Sequence, residues 1–416
     1  MARAHESYPR FLDARLLESV ADTPVTLIHG PRQSGKTTLV QRFAERHDYR
    51  YVTFDNDDEV AAAEYDPIGY VARLGPHAVL DEVQRVPRLF TSIKAAVDSD
   101  RRPGRFIMTG SANVLMVPHL ADSLAGRMGI LRMRPLSQSE LFGHPSSFLD
   151  EIFTNSFRAS RVERLGDQLA SLMTQGGYPE AVRRPPERAA EFLRDHIETQ
   201  IQRDVRALAQ VRNLQTIPAL LRQVAAYTAQ LANTSRFATD LRIKRDTVDK
   251  HLTLLENIFV IDRLPAWSPS EAKRAAKTPK LHIADSGVAA ALLERDSADL
   301  NADREYFGHL LESFVLSELR AQSTWQERRT AFHHFRDSNQ NEVDIVLERG
   351  PHRVAGIEVK ASASVSAKDF RGLRKLRDIA GDSFKAGAVL YDGTAGYQYE
   401  ENLWALPIRT LWEAGA

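Results

Sequence analysis

The chain has no cysteine among its 416 residues, which excludes disulfides, thiol nucleophiles and zinc held by thiolates. It has no excess of either charge, because Lys and Arg total 55 and Asp and Glu total 55. The global basic surplus that would advertise a nucleic-acid partner is therefore missing, and local charge has to decide that question. No uninterrupted apolar run approaches the length of a membrane span. The opening Met-Ala-Arg-Ala-His-Glu-Ser-Tyr holds no apolar core of a secretion signal. These absences predict a soluble cytoplasmic protein with no membrane contact, no repeats and no low-complexity tracts. The length predicts two to four domains, and a hydrophobic share of 43% is ample for several packed cores.

What is present centres on one stretch, Gly30-Pro31-Arg32-Gln33-Ser34-Gly35-Lys36-Thr37-Thr38. It follows the apolar run Val25–His29 and precedes a helical pattern through Leu39, Val40 and Phe43. Strand, glycine-bounded loop and helix start form the setting that the G-x-x-x-x-G-K-[ST] phosphate loop requires. Gly30 and Gly35 permit backbone angles and close approach that a side chain would block. Amides from Gln33 to Thr37 can then face phosphate oxygens at the positive end of a helix. Lys36 is expected to reach the β- and γ-phosphates of ATP, and the Thr37 hydroxyl to bind Mg2+.

The next apolar segments supply the rest of an α/β nucleotide-binding core. An amphipathic helix over Leu12–Val20 precedes the first strand, and Tyr51–Phe54 reads as a second. The third, Ala78-Val79-Leu80, ends in Asp81-Glu82, where Asp81 would hold the magnesium shell and Glu82 would polarise the attacking water. A fourth, Arg105–Thr109, runs into Gly110-Ser111-Ala112-Asn113. Ligand contacts in open α/β sheets gather at the carboxyl ends of strands, which makes Ser111, Thr109 or Asn113 a candidate for orienting that water. The stretch Ser123-Leu124-Ala125-Gly126-Arg127-Met128-Gly129-Ile130-Leu131 comes next, with Arg127 just before a fifth apolar strand.

These parts resemble an AAA+ ATPase. Gly126–Ile130 is similar to the box carrying the arginine finger in AAA+ DNA motors, including the Holliday-junction branch-migration motor. The resemblance implies that Arg127 acts on a neighbouring subunit's nucleotide, within a homo-oligomeric ring such as a hexamer. A break at His144–Ser147 ends the ATPase core at about residue 145, and helical periodicity over 146–205 predicts a lid. Within it, Gly176-Gly177-Tyr178-Pro179 resembles the Gly-x-Pro element of AAA+ and STAND lids, where the proline packs near adenine. AAA+ motors usually place a phosphate-sensing Arg beside that proline. This chain has Glu180 there, with Arg183 and Arg184 slightly later, a departure that points toward a STAND-like switch.

Residues 206–285 read as a winged helix. A first helix carries Leu220, Leu221, Val224 and Tyr227, a short second spans Thr234–Leu241 with a Thr or Ser cap, and a third begins at Lys244. Wing strands are expected at Ile258–Ile261 and Lys280–Ile283. Arg242, Lys244, Arg245 and Lys250 lie in or before the third helix, and Lys273, Arg274, Lys277 and Lys280 crowd the wing, a pattern suited to DNA phosphates.

The remainder, 286–416, carries a second constellation. Glu312 lies on an amphipathic helix, Asp344 on the strand Asn341–Leu347, and Glu358 with Lys360 on the strand Gly356–Lys360. Alternation puts Glu358 and Lys360 on one face. Asp344 and Glu358 are placed to share a divalent metal, with Glu312 completing the shell and Lys360 positioning hydroxide. The ordered set resembles the PD-(D/E)XK, RecB-like nuclease fold, an α/β restriction-endonuclease-like domain. Taken whole, the chain resembles AAA+ ATPases fused to a winged helix and a C-terminal DUF4143 domain. That resemblance implies an ATP-driven motor on duplex or branched DNA. A STAND-like switch in defence or toxin–antitoxin control, and an ATP-licensed metal-dependent nuclease, are the alternatives.

Overall fold

A computed structural model describes residues 8–111, 124–205, 215–275 and 277–413. Asn113 and Ser123, the start of the expected winged helix at 206, and the Lys273 side chain lie outside what is described.

The N-terminal unit is a five-stranded sheet, all parallel, in the order β2-β3-β4-β1-β5. The strands are β1 Val25–His29, β2 Arg50–Thr53, β3 Ala78–Asp81, β4 Phe106–Gly110 and β5 Met128–Arg132. Consecutive residues face opposite sides, so Leu27, Leu80 and Met108 enter one core while Ile28, Val79 and Ile107 enter the other. Helices Leu12–Asp22 and Lys36–His47 cover the second face. Helix Leu89–Ser99 covers the first. Burial on both faces explains why β1, β3 and β4 read as unbroken apolar runs.

The middle unit has helices Thr216–Ala226, Thr234–Leu241 and Arg245–Asn257. Its sheet orders β7 (Gln230–Leu231), β9 (Lys280–Ile283) and β8 (Ile261–Leu264). The expected helix, short helix, helix and hairpin occur in that order, with a short strand, β7, between the first two helices that the expectation did not include. Two further details differ. The cap of the second helix is Asn233, whose side chain accepts from the Arg236 amide, not the Thr or Ser after it. The first wing strand begins at Ile261, because Ile258 ends the preceding helix and Phe259 turns through a positive φ of 63°.

The C-terminal sheet has seven strands, among them β10 (Ala331–Arg336) and β15 (Leu403–Pro407), in the order β10-β11-β12-β13-β15-β14-β6. Its central members are β11 Glu342–Glu348, β12 Val354–Lys360 and β13 Phe384–Tyr391. Its last strand, β6 (Ser160–Arg161), comes from the segment expected to be lid and pairs with β14 (Ala395–Glu400). Helix Phe148–Thr154 packs on the same sheet, and Asn155 bonds Trp404 and Asn402. The stretch 146–205 therefore divides. Its first third docks on the C-terminal sheet, and the residues that line the cavity beside the phosphate loop come from Pro179 onward. One continuous core runs from Phe148 to Trp412, so lid helices, middle unit and C-terminal sheet are packed as a single body.

Candidate active site

The loop after β1 turns through Gln33 (φ 57°) and Gly35 (φ 98°) before the helix begins at Lys36. Gly35 is needed for that positive φ. Gly30 is needed for a different reason: a Cβ there would lie 2.1 Å from the Met133 carbonyl oxygen. The Lys36 amine, 4% exposed, curls back to donate to the Gly30 (3.0 Å) and Pro31 (2.7 Å) carbonyls. Burial lowers its pKa from 10.5 to about 8, although Glu82 and Asp81 pull it upward. Ser34 Oγ donates to the Pro31 carbonyl at 2.8 Å and fixes the loop from inside.

The acid pair stands opposite. Asp81 Oδ2 accepts from Thr37 Oγ1 and from the Tyr51 hydroxyl, both at 2.9 Å, and its Oδ1 accepts from Thr109 Oγ1. Thr109 Oγ1 also accepts from the Glu82 amide at 3.0 Å, so one hydroxyl sets both acids. Glu82 sits in the left-handed region (φ 59°), which turns its carboxylate toward the loop. Ser111 Oγ donates to Glu82 Oε2 at 3.1 Å, and Gln84 bonds both. Thr37 and Asp81 thus present oxygen donors on one spot, the donor type Mg2+ takes.

Beside the loop opens a cavity of about 670 Å3, within the range of small-molecule sites. Loop residues 32–38, Glu82, Leu136, Pro179, Glu180 and Arg183 line it, as do His196 and Arg203 of the lid side. Pro179 is the first residue of the short helix Pro179–Val182. Glu180 pairs with Arg183 and Arg184. Arg32, expected to serve the loop, is instead forked onto Asp204 at 2.8 and 3.0 Å. Among the described residues His196 Nε2 has no hydrogen-bond partner, and burial lowers that ring to about pKa 4, so it is neutral.

Sequence patterning brings out Lys36, Thr37, Asp81, Glu82, Ser111 and Pro179, and the fold gathers all of them around this cavity or its acid pair. It misses Tyr51, Gln84, His196 and Asp204. Asp204 lies 172 residues from Arg32, a separation that no local pattern reports.

Arg127 is elsewhere. Its carbonyl accepts from Val25 at the amino end of β1, while the phosphate loop leaves the carboxyl end. Five strand residues separate the two, roughly 17 Å. The guanidinium pairs with Asp98 at 2.6 Å on the surface.

The end of β5 joins the ATPase sheet to everything after it. Arg134 is forked onto Asp262 of β8 at 2.7 and 3.0 Å, and Arg320 of helix Arg304–Gln322 holds the same carboxylate at 2.5 Å. Burial would push Asp262 up, but Arg134 and Arg320 keep it well below the usual carboxylate range.

Two expected surfaces change. Among the wing cations, Arg274 is tied to Glu348 (2.6 and 2.9 Å) and to the Ser268 carbonyl, so it is not free for phosphate. Lys277 donates to the Arg336 carbonyl at 3.2 Å. Arg242, Lys244, Arg245 and Lys250 are exposed around the start of helix Arg245–Asn257, and Arg245 also bonds Thr234. In the C-terminal unit, antiparallel pairing of Ile345 with Ile357 brings Asp344 beside Glu358. Lys280 of β9 reaches Glu312 (2.9 Å), Glu342 (2.7 Å) and Asp344 (3.5 Å). Lys360, expected to position hydroxide, is paired with Glu358 at 2.8 Å. Among the described residues no group of three or more acids or histidines is arranged to hold a metal. No helix among them is long and apolar enough to cross a membrane.

A family model for an AAA domain matches residues 22–142, and domains of unknown function DUF8612 and DUF4143 match 166–299 and 307–411. Over 406 residues the chain is 27% identical to the uncharacterized proteins Rv2008c of Mycobacterium tuberculosis and Mb2031c of Mycobacterium bovis. Those matches cover 97% of this chain and 84% of each relative. Among solved structures, the Walker-type ATPase PABY2304 of Pyrococcus abyssi is similar at 16% identity and a TM-score of 0.44, over 70% of this chain and 97% of that one. The Thermotoga maritima RuvB Holliday junction branch migration motor is similar at 16% and 0.30, over 61% and 89%.

Proposed function

We propose that this chain, matched by family models for an AAA domain and for DUF4143, is an ATPase that couples ATP hydrolysis to movement or remodelling of DNA held by the middle unit. In this reading the loop amides and Lys36 hold the triphosphate, and Thr37 with Asp81 would hold Mg2+, which offsets phosphate charge when bound. Glu82, steered by Ser111 and Gln84, orients water at the terminal phosphate and accepts its proton. Arg127 is too far from its own loop to serve there, which supports action on a neighbour's site within a ring.

One observation carries the coupling. Gly30 is packed against Met133, so the phosphate loop and the end of β5 cannot move independently. Arg134, the next residue, grips Asp262 of the middle unit, which Arg320 ties to the C-terminal unit. Arg32 adds a second link to the lid side through Asp204. A change at the loop therefore has a contiguous path of packed and paired groups to the exposed cations around Arg245. Those four cations are the phosphate-contacting surface in this proposal.

The test is the ATPase rate with no DNA, single strand, duplex and four-way junction, read with particle mass in ATP. Stimulation by duplex or junction DNA, with assembly, is expected, and Arg245→Ala with Lys250→Ala should abolish the stimulation while leaving the basal rate. A monomer whose slow turnover ignores all three DNAs removes the motor and favours a nucleotide switch.

A further inference from the structure

The cleft between the middle unit and the C-terminal sheet has a volume of about 540 Å3, and Lys280 lies at its floor. Around that lysine stand Glu312, Glu342, Asp344 and, beyond it, Glu358, a set with the composition of a divalent-metal site. We infer that Lys280 is the resident cation of this cluster, so the C-terminal unit is closed to the divalent ions that phosphodiester cleavage would need.

The donor inventory supports this. Lys280, 4% exposed, takes one oxygen each from Glu312, Glu342 and Asp344. The other Asp344 oxygen accepts from the Val359 amide at 2.9 Å, and Glu358 Oε1 accepts from Lys360. Among the described residues Glu358 Oε2 is left buried without a hydrogen-bond partner. An ammonium group already seated among three of the four carboxylates holds oxygens that a divalent cation would need and repels the ion itself.

The lysine also arrives from β9 while its partners sit on helix Arg304–Gln322 and on β11. The cluster is therefore a joint between two units.

Mn2+ titration of the full-length protein without nucleotide tests the inference. Wild type and Asp344→Asn should bind the same amount. Lys280→Ala should gain one Mn2+ per chain, with its melting temperature rising as the ion is added, and Lys280→Ala/Asp344→Asn should lose that gain. A wild-type ion that Asp344→Asn removes overturns the inference, as does a folded Lys280→Ala that binds no more than the double variant. Should Lys280→Ala not fold, wild type against Glu358→Gln decides alone: a difference in bound Mn2+ refutes the inference, and equality supports it.

Discussion

Raising the pH should weaken triphosphate binding through Lys36 before it touches the fold. Burial holds that amine at about pKa 8, and among the described residues its hydrogen bonds go to two neutral carbonyls. A bound triphosphate supplies negative charge and restores the protonated form. Binding above about pH 8 must then take up a proton, and affinity should fall roughly tenfold per pH unit, or about 1.4 kcal/mol, until about pH 10. At about pH 9 the loss is roughly tenfold relative to neutral pH. Folding of the empty protein has the opposite sign. Between about 8 and the usual 10.5 the unfolded chain binds the extra proton, so this lysine's contribution to stability rises over that window. The assay is binding of a fluorescent ATP analogue across this range, with calorimetry in buffers of different ionisation heat to count protons. Lys36→Met should bind weakly and without the pH slope. Affinity that stays flat to about pH 9.5, or an equal slope in Lys36→Met, refutes the reasoning.

Glu82→Gln should keep nucleotide binding and lower turnover by about 10²-fold or more, because the amide cannot accept the water's proton; unchanged turnover would assign the base elsewhere. Arg127→Ala should cut turnover about 10³-fold while nucleotide affinity of the isolated chain is kept, and mixing it with Lys36→Ala subunits should restore part of the rate, read in a steady-state assay. Asp262→Ala strands Arg134 and Arg320 without their carboxylate, and denaturant unfolding should register a loss of about 3–5 kcal/mol. An unchanged midpoint in that variant would mean the two arginines find water or other partners.

The local half of this protein is legible in its sequence. The phosphate loop, the strand-borne Asp81-Glu82 and the apolar runs of β1, β3 and β4 are patterns of adjacent residues, and backbone geometry turns adjacency directly into structure. The carboxylates of the C-terminal unit are legible in the same way, since strand register sets Asp344 beside Glu358. What they are paired with is not. Only packing of β9 against helix Arg304–Gln322 brings Lys280 among them and turns an apparent metal site into a set of ion pairs. The same holds for Arg32 with Asp204, and for the segment Phe148–Arg161 that completes a sheet more than two hundred residues downstream. Long-range pairs leave no periodicity, because the chain between them adds nothing to the pattern at either end. The sequence therefore determined which chemical groups exist and on which elements they ride; the tertiary structure decided which charges meet, and so which of two acidic clusters stays open to a ligand.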